Sequence, residues 1–230
     1  YKQFANTFYS RTRDFSSVVY DGTHSDKRSD LITYQSYNEF SRGINSIPSS
    51  DANYTDNYKH IRRTNLLLQN AEAYAKPEDI KQYIGEAYFF RAYSYFDLLQ
   101  LYGDVIITKK PLDITDPEMK VKRNDRSEVV DLIIDDLNHA VENLPAFKEL
   151  TTEEEGRISK EGAQAFLSRV ALYEGTWQKS RNGKQNTQRS ANLLDIAAKA
   201  ARTVIDAKYG YTFRLFGTDS ETKILGYSAQ

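Results

Sequence analysis

Residues 79–112 read DIKQYIGEAYFFRAYSYFDLLQLYGDVIITKKPL, and their periodicity decides the fold. Ile80, Ile84, Ala87, Arg91, Tyr95, Leu98 and Tyr102 recur at steps of three and four, the spacing of one helical face. Phe89, Ala92, Phe96 and Leu99 add a second apolar line, so this helix is covered on more than one side. Pro77 lies near its start and Gly103 just past its end, the usual asymmetry of helix boundaries. After Gly103 the short β-branched run Val105, Ile106, Ile107, Thr108 predicts an extended return, closed by Pro111.

Working outward, the same period recurs on both sides. Tyr54, Tyr58, Ile61, Asn65 and Leu68 predict a helix that pairs with the central one across Lys76-Pro77. Val129 to Leu144, Ala163 to Tyr173 and Leu193 to Ile205 supply three further apolar faces. The first of these stops at Pro145, and the second is predicted to end at Gly175-Thr176-Trp177. Helix starts near 54, 79, 125, 159 and 189 form an irregular version of a tetratricopeptide-like period. Ala92 and Phe96 keep the alanine-x3-phenylalanine step of such repeats. The expected fold is all-α: one domain over 1–230, with an N-terminal helix and irregular loops in 1–53 and stacked helix pairs in 54–207. Little strand is expected beyond Val105 to Thr108.

Composition removes several function classes. The 230 residues carry a formal net charge of −1, unlike the basic footprint of a nucleic-acid binder. No apolar run is long enough to span a membrane as a helix. There is no cysteine, so disulfides, thiolate metal sites and a cysteine nucleophile are excluded. His24, His60 and His139 are far apart and share no metal-ligand spacing. Asp113, Asp116 and Glu118 lack the alternation and the glycine of a calcium loop and read as a solvated turn. No phosphate loop, dinucleotide fingerprint or serine elbow occurs, and no cofactor is implied.

Three sets of residues carry a resemblance. They are Gly85-Glu86-Ala87-Tyr88-Phe89-Phe90-Arg91-Ala92 with Tyr95-Phe96-Asp97-Leu98-Leu99 and Tyr102-Gly103-Asp104-Val105; the spaced set Tyr54, Tyr58, Ile61, Asn65; and the run from Gly156-Arg157-Ile158-Ser159-Lys160 to Tyr173-Glu174-Gly175-Thr176-Trp177. Together they resemble the SusD/RagB family of surface lipoproteins. The family commonly has proline after glycine-aspartate-valine, where this chain has Ile106. The resemblance implies cell-surface capture of glycan nutrients and their delivery to a SusC-like TonB-dependent outer-membrane transporter, without catalysis. It also implies an outer-membrane location through a lipidated N-terminal cysteine, absent from this chain, so the expectation is a chain that begins after the anchor and covers the N-terminal part of the fold. A helical-repeat adaptor or peptide-capture protein is the alternative, and a helical enzyme whose active residues lie outside this chain is a second rival.

Candidate ligand residues are aromatic and amide side chains near the start of the repeats: Tyr34, Tyr37, Tyr54, Asn57 and Tyr58. Flat rings suit the C–H faces of sugars, and fixed polar groups suit their hydroxyls. The 17 tyrosines also fit a wide, half-buried helix-packing core. Arg91 reads as a packing element stacked on Tyr88 and Tyr95 rather than a catalytic group. Glu86 and Asp97 read as helix-pairing carboxylates, and Trp177 as a lid on the core.

Overall fold

In the computed structural model the residues described are 1–12, 42–44, 46–181 and 187–213. Six α-helices occur among them: α1 (Lys2–Asn6), α2 (Ala52–Glu72), α3 (Lys81–Tyr102), α4 (Arg126–Asn143), α5 (Lys160–Ser180) and α6 (Thr187–Ile205). Helices α2 to α6 pack in sequence, each against the next, and α1 lies on α3. The expected all-α stack is therefore present. Predicted helix starts fall within two residues of those observed.

Helix α3 is the centre of the packing. Ala87, Phe89, Phe90, Ala92, Tyr95, Phe96, Leu98 and Leu99 are buried, and at the helical period they are spread around most of the axis. A helix apolar on all sides requires neighbours on all sides, and α1, α2 and α4 provide them. Phe8, in the short 3-10 helix Thr7–Arg11 after α1, is buried against Phe90 with ring centroids 6.0 Å apart. Gly103 ends α3 at φ +73, a backbone conformation that side-chain-bearing residues rarely adopt.

Polar side chains start α2, α4 and α5. Asp51 accepts the Asn53 amide at the head of α2. Glu128 reaches back to the Asp125 amide, 3.0 Å away, at the head of α4. Ser159 accepts the Gly162 amide at the head of α5.

Gly175 does not end α5, which continues to Ser180. It sits where α6 crosses: a Cβ there would lie 2.9 Å from the Leu194 side chain. Gly85 on α3 plays the same part toward Leu144, at 2.9 Å from its backbone nitrogen. Missing side chains at these crossings let neighbouring segments approach more closely than any other residue type allows.

The return after Gly103 is extended, yet among the described residues it forms no strand, just one antiparallel bridge between Val105 and Asn124. Its backbone is held by side chains instead. Tyr58 donates its hydroxyl to the Ile106 carbonyl at 2.7 Å, and Asn65 donates to the carbonyls of Thr108 (2.9 Å) and Lys110 (3.3 Å). Arg62 donates to the Leu112 carbonyl, and the Ile107 amide donates to Asn124. With the backbone groups satisfied this way, no partner strand is required.

Four buried carboxylates among the described residues pair with arginines across helix boundaries. Asp136 on α4 takes a two-pronged contact from Arg91 on α3, at 2.6 and 2.8 Å. Glu86 takes the same from Arg157, at 2.7 and 2.6 Å. Glu174 accepts Arg126 Nε at 2.9 Å, and Asp97 accepts Arg11. The structural reading of Arg91 corresponds to this arrangement, with one change of partner. Tyr88 lies under its guanidinium at 5.3 Å, while Tyr95 turns its hydroxyl to Thr108 instead.

Candidate binding cleft

The extended segment and helix α2 enclose an open cleft of about 640 Å³. One wall is a helical face, Tyr54, Tyr58 and Arg62, spaced so that all three point the same way. The other is Ile106, Thr108, Lys110 and Leu112, which alternate with side chains on the far side of the extended backbone. Ile114 and Met119 form the mouth and are 95% and 52% exposed.

Tyrosines shape the inner end. The rings of Tyr54 and Tyr58 lie 4.8 Å apart, and Tyr102 meets Tyr54 edge-on at 5.2 Å. Tyr102 in turn donates its hydroxyl to Asp51 at 2.6 Å, which ties the end of α3 to the start of α2. Burial raises the Tyr58 hydroxyl well above the ordinary tyrosine range, and its neighbour Tyr54 adds to the rise. Tyr58 is therefore an uncharged donor to Ile106 at every working pH.

The five candidate ligand residues separate here. Tyr54 and Tyr58 line the cleft. Asn57 does not: it is fully buried and turned toward Asp97 on α3. Its amide nitrogen donates to the Asn53 carbonyl (2.8 Å) and to Asp97 (2.9 Å). Its oxygen accepts Arg11 at 2.9 and 3.2 Å. Both donors and the acceptor are thus committed within the fold, and Asn57 is an element of the core. Tyr34 and Tyr37 lie outside the described residues.

Sequence reading missed the second wall. The mouth is missed too: Asp113, Asp116 and Glu118 read as a solvated turn, and Ile114 and Met119 are single apolar side chains set among those charges. The acidic group there binds lysine: Lys110 Nζ lies 2.8 Å from Glu118 and 3.6 Å from Asp116. No group of three or more potential ligands that could hold a metal occurs among the described residues. Trp177 does not line the cleft; the guanidinium groups of Arg126 (4.0 Å) and Arg181 (3.9 Å) lie over its ring.

Residues 5–172 match the family described as "Starch-binding associating with outer membrane", whose members are SusD-like. The chain belongs to the SusD-like family. A curated SusD-like protein of Formosa agariphila is 33% identical over 133 residues, which is 56% of this chain and 25% of that protein. A crystal structure of a SusD-like protein from Bacteroides fragilis superposes with a TM-score of 0.70 at 26% identity, covering 96% of this chain and 40% of that one. A laminarin-binding SusD-like protein superposes with a TM-score of 0.60 at 27% identity, over 76% of this chain and 35% of its own. The match thus spans about a quarter of the length of the curated relative.

Family membership gives the spaced residues of α2 a physical meaning. Tyr58 and Asn65 are among the side chains that fasten the extended segment, and Asn65 also accepts Arg91 at 2.8 Å. The pattern read from the sequence as a family signature is thus a lock between α2, α3 and the return that follows α3.

Proposed function

We propose that the protein captures a glycan at the cell surface and passes it to a TonB-dependent outer-membrane transporter, binding its ligand without cleaving it. The observation that carries this reading is the family match over residues 5–172. The laminarin-binding relative supports the sugar, and the family's description supports the outer membrane. A lipid anchor outside this chain would hold the protein at the surface, and a SusC-like transporter would be its partner.

The cleft supplies what such a role requires of this part of the protein. Tyr54 and Tyr58 present half-buried rings beside a polar rim, the combination used to grip sugars by their C–H faces and hydroxyls. Glu86, Asp97, Asp136 and Glu174 are occupied by arginines inside the helical stack. Their work is packing.

Affinity electrophoresis of the full-length protein through gels containing single polysaccharides tests the proposal. Retardation by at least one of them, with no reducing sugar released on prolonged incubation, is the expected result. Release of sugar by purified protein would remove the claim of binding without turnover. Free migration through every polysaccharide, with binding to a peptide library instead, would transfer the protein to the peptide-capture alternative.

A further inference from the structure

Charged side chains around the cleft come in opposite-sign sets. Lys59 Nζ lies 2.8 Å from Asp56, and Arg62 lies 4.0 Å from Asp113. Lys110 sits between Glu118 and Asp116. Each of these three cations therefore already has a carboxylate beside it. Arg62 is engaged further by the Leu112 carbonyl.

This arrangement discriminates by charge. A uronate or sulfate group entering the cleft would meet Asp113 and Glu118 at the rim and would have to compete with them for the same cations. Like charges brought together in this way disfavour the wrong partner. An uncharged sugar meets no such competition. Each hydroxyl both donates and accepts, and a cation beside a carboxylate offers both functions at neighbouring points. Between the charged pairs, Tyr54, Ile106 and Met119 provide apolar surface for the C–H faces. A volume of about 640 Å³ lies within the range of small-ligand sites.

We infer that the cleft takes uncharged oligosaccharides and rejects uronate-rich or sulfated ones; the inference rests on the glycan-capture reading above.

The test uses full-length protein and affinity gels of laminarin, xyloglucan and starch on one side, alginate and polygalacturonate on the other. Each gel is run from about 0.01 M to about 1 M salt, over which the screening length falls from roughly 30 Å to roughly 3 Å. The expected result is retention by one or more neutral polymers, changing less than about two-fold across that range because no ion pair joins the protein to an uncharged sugar. Retention by an anionic polymer that salt abolishes would overturn the inference while leaving glycan capture intact. Retention by none of the five would overturn both.

A double variant, Asp113→Lys with Glu118→Lys, places the effect in this cleft. Both side chains are exposed at the rim, so folding is preserved, which a helix-dominated circular dichroism spectrum checks. The variant removes the carboxylate beside Arg62 and one of the two beside Lys110, and adds two more cations. It should acquire salt-sensitive retention on alginate and lose part of its retention on the neutral polymer. A variant that keeps the wild-type pattern on all five gels would show that the cleft does not set charge selectivity, and the inference would fail.

Discussion

Arg91 shows how one side chain can serve three contacts and no ligand. Its guanidinium reaches Asp136 twice, Asn65 once and the Tyr88 ring, so truncation strands a carboxylate that is fully buried. Breaking a buried pair from one side costs roughly 3–5 kcal/mol. Arg91→Ala should therefore lower the denaturation midpoint far more than a surface arginine would. Pairing it with Asp136→Leu should recover a large part of the loss, since the stranded charge is then gone. Chemical denaturation of the two variants checks this; equal losses in both would mean that packing of the arginine stem, not the charge pair, dominates. His60 makes a different case. Burial, with Arg11 and Arg63 nearby, lowers its proton affinity below the ordinary value of 6.5, and its Nδ1 is buried without a partner. The folded state then binds fewer protons than the unfolded state. Stability should be full above about that value and fall as pH drops through it. His60→Gln should flatten this slope in urea titrations between pH 5 and 7, and an unchanged slope would assign the pH dependence to other groups.

At the scale of the element, the two walls of the cleft differ in how far the sequence announces them. Helix α3 is written in local periodicity, and Gly103 marks its end without help from distant residues. The helical wall of Tyr54 and Tyr58 is legible for the same reason. The facing wall is not, because it is fixed by bonds such as Tyr58 to Ile106, 48 residues apart, and no spacing rule carries across that distance. The burial of Asn57 is hidden likewise. It depends on Arg11 and Asp97, which tertiary packing brings to the same point. Glycines show the same divide. Gly85, Gly162 and Gly175 look alike in sequence, but a Cβ on Gly85 would meet the backbone of Leu144, whereas on Gly162 it would meet the flexible end of Ile158. Gly85→Ala should lose on the order of 1–3 kcal/mol through overpacking. Gly162→Ala should stay within roughly 1 kcal/mol of wild type, because greater helix propensity offsets the small adjustment. Thermal melts of both variants decide the matter, and a stable Gly85→Ala would mean that the α3–α4 contact yields more readily than its geometry implies.

For the whole molecule, the question is how much of the binding site this stack of helices contains. The cleft has one helical wall and one extended wall, and its mouth leaves Ile114 almost fully exposed. Sugar sites that hold a ligand tightly enclose most of its surface, and an open mouth with exposed apolar side chains does not. The structural relative from Bacteroides fragilis is more than twice as long as the part this chain covers, since the match takes in 40% of it. We therefore expect the 230-residue chain, expressed by itself, to give a helix-dominated circular dichroism spectrum and a cooperative melt. We also expect it to bind the polysaccharide of the full-length protein at least tenfold more weakly. Isothermal titration of both proteins with the same oligosaccharide makes the comparison, and Tyr54→Ala in the full-length protein adds the link to this cleft. Loss of one stacking ring should weaken binding by about 0.5–1.5 kcal/mol if a sugar behaves as another ring partner does. Equal affinity in the two proteins would mean that the cleft between α2 and the extended segment is sufficient on its own. Wild-type affinity in Tyr54→Ala would mean that the sugar is held elsewhere, and the capture reading would then stand without this site.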